Sequence, residues 1–159
     1  MAREIVSDPL VFGWSWPAFG TAAFVSTLII ARLWRRFTDR QVWIVCQIVM
    51  AIGLLLPILH EHILTIIAAG LCVGGTFMII TMTGMSEAHR VAGPSDALRH
   101  IAVMTASFAT GQMIGPLFAS LIHDVTGGFA MSLALSSVAL IATAIGLAGR
   151  KTEPAADGA

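Results

Sequence analysis

The sequence predicts an all-α membrane protein with five transmembrane helices, and two observations carry that prediction. Five stretches of about twenty residues contain no Asp, Glu, Lys or Arg, and a helix rising ~1.5 Å per residue crosses a ~30 Å hydrocarbon core in that length. The chain is also 57% hydrophobic and 11% charged, with a mean hydropathy of +0.85, which excludes an ordinary water-soluble core. Backbone groups in lipid must find partners inside the protein. The sequence lacks the alternation, about ten residues at a time, of a barrel strand, so helices remain.

Residues 1–12 form an extracytoplasmic amino-terminal segment, followed by a first span at about 13–33. Trp14 and Trp16 at its start, Trp34 near its end and Trp43 at the start of the next span suit the headgroup region. The second span is placed at about 41–59 and the third at about 63–86, joined by a turn around His60-Glu61-His62. The fourth, at about 99–122, carries Ser107, Gly111, Gly115 and Ala119 at every fourth position, with Pro116 as a kink residue. Small residues let helix backbones approach in lipid, where association cannot come from hydrophobic burial. Gly70 and Gly74 repeat the device in the third span, and Ala130, Ala134, Ala142 and Gly146 in the fifth, at about 127–149. Residues 152–159 are expected to be a disordered cytoplasmic tail.

Charge sorts by loop. Arg32, Arg35, Arg36, Arg40, Arg90, Arg99, Arg150 and Lys151 fall on one face, and Arg3 alone on the other. Basic residues stay cytoplasmic, so the carboxyl terminus is expected inside and, with five spans, the amino terminus outside, in a bacterial inner membrane. The opening MAREIVSDPL does not read as an export signal, since it carries Glu4 and Asp8 and leads into a full-length span without a cleavage site. Sequence upstream of Met1 is therefore expected.

Catalytic chemistry is not apparent. His60, Glu61, His62, His123 and Asp124 share the outer face but lack the spacing that presents three or four converging ligands, so they read as interfacial loop residues and no metal is expected. Cys46 and Cys72 fall at different depths on antiparallel spans and read as packing residues. Phosphate loop, nucleophile elbow and basic nucleic-acid patch are all missing, so neither a cofactor nor an enzyme activity is expected, and no nucleic-acid partner. Away from their ends the five spans also contain no acidic or basic residue, and so no visible proton-coupling group.

Gly111-Gln-Met-Ile-Gly115-Pro116 resembles the G-x-x-x-G-P element of the major facilitator superfamily. The loop Ala31-Arg-Leu-Trp-Arg-Arg-Phe-Thr-Asp-Arg40 resembles a degenerate copy of that family's G-x-L-x-D-R-x-G-R-R loop, with Ala31 and Thr38 in place of glycines and Arg35 in the acidic position. Gly74-Gly-Thr-Phe-Met-Ile-Ile-Thr-Met-Thr-Gly84, Glu87-Ala-His-Arg90, Thr105 to Pro116 and Asp8 to Pro17 are similar to the YbfB/YjiJ-like branch. The resemblance covers about Asp8 to Lys151 and implies helices eight to twelve of a twelve-helix transporter, most of the carboxyl-terminal six-helix half.

It further implies a secondary transporter for an unknown small molecule, working by alternating access around a midplane site and inactive without the amino-terminal half. The third span would line the cavity, the first and fourth would face the other half, and the second and fifth would face lipid. Thr76, Thr81, Thr83 and Gln112 are then the substrate-cavity candidates, because polar groups are out of place against lipid. Arg35, Arg36, Asp39, Arg40, Glu87 and Arg90 are the candidates for a cytoplasmic charge network that closes a gate. The expected partners are the bilayer, the substrate, and a missing or separately encoded amino-terminal half or a second copy. The alternative reading is a transporter-derived membrane protein with an interaction or regulatory role and no transport.

Overall fold

The computed structural model describes residues 15–33, 37–60 and 62–149. The amino-terminal segment 1–12, Trp14, Trp34, Arg35, Arg36, Glu61, Arg150, Lys151 and the tail 152–159 lie outside the described residues. Everything described is helix or turn, in the elements α1 (Ser15–Leu33), α2 (Asp39–Leu59), α3 (Ile63–Thr126) and α4 (Ala130–Gly149).

Helical backbone runs through all 64 residues of α3, but the element is not a straight rod. Phe77 and Phe108 stack at 5.9 Å between ring centroids, whereas a straight helix would hold them about 46 Å apart at 1.5 Å per residue. Met104 likewise lies against Gly84. The chain therefore doubles back between the limbs Ile63–Arg90 and Asp96–Thr126, where Gly93 and Pro94 stand. Proline supplies no backbone N–H and disfavours helical dihedrals in the residue before it, which makes this dipeptide the weak point of the helix. Where a loop is expected between the third and fourth spans, the two limbs are joined by helical backbone.

Among the described residues the result is an all-α architecture of five helical rods. Four are long and apolar enough to cross a bilayer: Asp39–Leu59, Ile63–Arg90, Asp96–Thr126 and Ala130–Gly149. The fifth, α1, contains the shorter described apolar stretch Phe19–Ile29. The outer surface is covered with exposed large apolar side chains such as Phe24, Ile52, Leu117 and Ile145, the exterior a bilayer requires.

Capping explains the helix ends. Thr38 and Gln41 form a reciprocal capping box at the start of α2, where Asp39 also meets the positive end of the helix dipole. His62 caps α3 by accepting from the Leu64 N–H at 3.2 Å through Nδ1. Gly127, at φ 72°, ends α3 in the left-handed conformation that glycine adopts without steric cost, and its N–H returns to the His123 carbonyl.

The first limb of α3 is the hub. Asp39, Val42 and Gly53 of α2 meet Ser86, Ile79 and Cys72 in turn, so the two run antiparallel. On another side, Phe19 of α1 packs on Gly74 and stacks towards Phe77 at 6.5 Å. Helix α4 packs on α2 by a second antiparallel register. Arg40 donates to the Leu147 carbonyl, Gln47 to Thr143 and Ser137 to the Ala51 carbonyl. The second limb is different, since none of its most apolar stretch is buried.

Candidate functional site

Among the described residues, three kinds of polar group interrupt the apolar bundle. The first is the set of threonines on the hub. Thr76, Thr81 and Thr83 donate to the carbonyls of Cys72, Phe77 and Ile79, each one turn back on the same helix, at 2.7, 3.1 and 2.8 Å. Each hydroxyl proton is thereby engaged, and only oxygen lone pairs remain for another molecule. Thr83 is fully buried at 0% exposure and Thr76 is buried at 7%, so Thr83 has no surface left for a solute. Thr81 is half-buried and Gln112, on the second limb, is exposed. Of the four cavity candidates, these two keep the most accessible surface.

The stacking of Phe108 on Phe77 sets the level of the two limbs. Thr81 lies one turn beyond Phe77 and Gln112 one turn beyond Phe108, in opposite directions along antiparallel rods. The aromatic row Phe19–Phe77–Phe108 thus joins α1 and both limbs of α3 between the two polar positions.

The second kind is the charged edge. Ser86 donates to the Asp39 carboxylate, which joins the start of α2 to the end of the first limb. Arg90 binds Glu87 through Nε at 2.9 Å and Nη2 at 2.5 Å, a forked pair within a single turn. Arg40, next to Asp39 at the start of α2, donates to the Leu147 carbonyl near the end of α4. The structure therefore brings Asp39, Glu87 and Arg90 to one edge, while Arg35 and Arg36 fall outside the described residues.

The third kind was not singled out from the sequence. Gln47 donates to Thr143 Oγ1 at 3.2 Å, and Ser137, 1% exposed, donates to the Ala51 carbonyl. The reasoning applied to the threonines applies equally to a glutamine in mid-span, and would have found Gln47.

The small residues divide. A Cβ at Gly74 would meet Phe19 at 2.9 Å, so close approach of α1 requires glycine there. Gly70, Gly111 and Gly115 have nothing within 4 Å, Ser107 and Pro116 are exposed, and Ala119 is half-covered. Pro116 sits inside continuous helix. In α4 the expected stripe is mostly uncovered: Ala134 is half-buried, Ala130, Ala142 and Gly146 are exposed, and the helix buries Ser137 and Ala144. Side-chain hydrogen bonds to α2 select that face over the merely small one.

At the opposite end His123 stacks on Phe129 at 4.4 Å beside Asp124. Among the described residues, no three of His, Cys, Asp and Glu come together as metal ligands. Cys46 and Cys72 are free thiols.

Apolar rods long enough to cross a bilayer, with charge near their ends, are those of a multi-pass integral membrane protein. The chain matches, over residues 1–147, the family model described as "Uncharacterised MFS-type transporter YbfB". It belongs to this YbfB-type family of the major facilitator superfamily. Neither the curated proteins nor the solved structures gave a match.

Proposed function

We propose that this chain forms most of the carboxyl-terminal half of a secondary transporter for a small molecule, acting by alternating access together with an amino-terminal half. The observation that carries the reading is the second limb of α3. It carries Ser107, Gly111 and Gly115 at close-packing spacing, yet nothing lies within 4 Å of a Cβ at either glycine. A surface of that kind suits another helix better than lipid, because small residues give up dispersion contact unless a backbone comes close. The family match supports the same reading.

In this account Gln112 and Thr81 border the solute pathway, with the phenylalanine row between them. Asp39, Arg40, Glu87 and Arg90, with Arg35 and Arg36, hold the cytoplasmic gate. The arginine-bearing end faces the cytoplasm of a bacterial inner membrane. Coupling to protons draws on a carboxylate in the other half, since the spans here carry none away from their ends.

Substituted-cysteine accessibility tests the proposal. In a Cys46→Ser, Cys72→Ser background, single cysteines at Gln112, Thr81 and Val138 are exposed to a membrane-impermeant methanethiosulfonate in native membranes. Labelling at Gln112 and Thr81 but not at Val138, which faces outward on α4, is the expected pattern. Equal protection at all three positions would overturn the pathway.

A further inference from the structure

We propose that Trp43 and Gln47 together bind one buried water molecule where α2, α3 and α4 meet. Trp43 Nε1 and Gln47 Oε1 are both buried, and neither has a hydrogen-bond partner among the described residues. Gln47 is 8% exposed, so its carbonyl oxygen cannot turn to bulk solvent. An unmet polar group is costly in such surroundings, and more so in a span flanked by lipid.

Turning the amide over does not solve the problem. The Thr143 hydroxyl directs its single proton to the carbonyls of Ala139 and Leu140, both at 2.9 Å, and so accepts from Gln47 Nε2. A flipped amide would set Oε1 against that engaged hydroxyl and strand the NH₂ group instead.

The two orphan atoms are complementary, and their residues are neighbours on one side of α2. An indole N–H only donates, and an amide oxygen only accepts. The residues stand one turn apart, with Cβ atoms about 5–6 Å from each other on the same side of the helix. On the helical wheel Trp43 falls between Val42 and Cys46, which face α3, and Arg40 and Ala51, which face α4. Its ring edge lies against Gly84, while Gln47 reaches Thr143, so the pair spans the seam.

A site built from one donor and one acceptor rejects both ions. The N–H dipole opposes a cation, and the amide oxygen opposes an anion. The fitting ligand is neutral and both donates and accepts, and water is the smallest such molecule. It would accept from Trp43 and donate to Gln47, meeting the two to four partners that buried waters typically have. Trp43 stands in the second turn of α2, counted from Asp39, near enough to the polar end for exchange with solvent.

The test uses the whole chain, labelled with ¹⁵N-tryptophan, in detergent micelles or nanodiscs. Of its four indoles, Trp43 is assigned by the signal that Trp43→Phe removes. A rotating-frame cross-peak between that indole proton and a long-lived water is expected, and Gln47→Leu should abolish it or reduce it several-fold. If Gln47→Leu disturbs the other three indoles, Gln47→Met replaces it. A Trp43 indole without the water cross-peak would show a direct bond to protein and overturn the proposal. A cross-peak that survives both Gln47 variants would overturn it equally.

Discussion

Ser137 donates its hydroxyl to the Ala51 carbonyl at 3.1 Å, and both residues are only 1% exposed. No space remains at this contact between α2 and α4. Ser137→Leu should therefore destabilise the chain by ~1–3 kcal/mol through overpacking. Ser137→Ala should cost only about 0.6 kcal/mol, the average for a hydrogen bond between membrane helices. Unfolding by SDS from detergent micelles measures both, and equal losses would show that the hydrogen bond rather than the fit holds the contact.

The glycines give a paired prediction. At Gly53 an added Cβ would lie 2.6 Å from Cys72 Cβ, an atom fixed to its own helix, so Gly53→Ala should lower stability by ~1–3 kcal/mol. At Gly111 there is nothing within 4 Å, so Gly111→Ala should be neutral or gain up to about 1 kcal/mol from helix propensity. The same unfolding assay separates them. In the assembled transporter, Gly111→Leu is expected to reduce uptake strongly, because that is where the other half would approach.

Glu87 and Arg90 are predicted to matter for movement rather than for stability. Their side chains are 16% and 39% exposed, and an ion pair of that kind contributes roughly 0–1 kcal/mol. Glu87→Gln should leave the unfolding midpoint nearly unchanged and slow transport in the complete transporter. Unchanged transport would remove Glu87 from the gate.

Topology is open to direct test. A fluorescent protein fused after Ala159 should light up in the cytoplasm, and alkaline phosphatase inserted after Gly128 should be active outside. The reverse pair of signals would invert the assignment of both ends.

The helical architecture was legible because charge-free length and the placement of arginines are both written directly in the chain. The doubling back of α3 could be read only in part. Gly93 and Pro94 mark the weak point, but helical backbone continues through it, because proline forbids only some of the hydrogen bonds there. Which face of α4 packs was not legible. Ala130, Ala142 and Gly146 are small enough for contact, but the face that wins places Ser137 against a carbonyl and Thr143 against Gln47. Such pairing depends on the register of two helices, which no local pattern specifies. The threonines show the same limit, since Thr81 and Thr83 are alike in sequence and only one keeps any accessible surface.

The most direct test of the central claim is the size and company of the chain in its own membrane. An epitope tag placed after Ala159 at the native locus would allow the protein to be solubilised mildly, purified and weighed. The expected result is a polypeptide well above 16.8 kDa, or a stoichiometric complex with a second protein that supplies the remaining helices. A stable, monodisperse monomer of 16.8 kDa would contradict it.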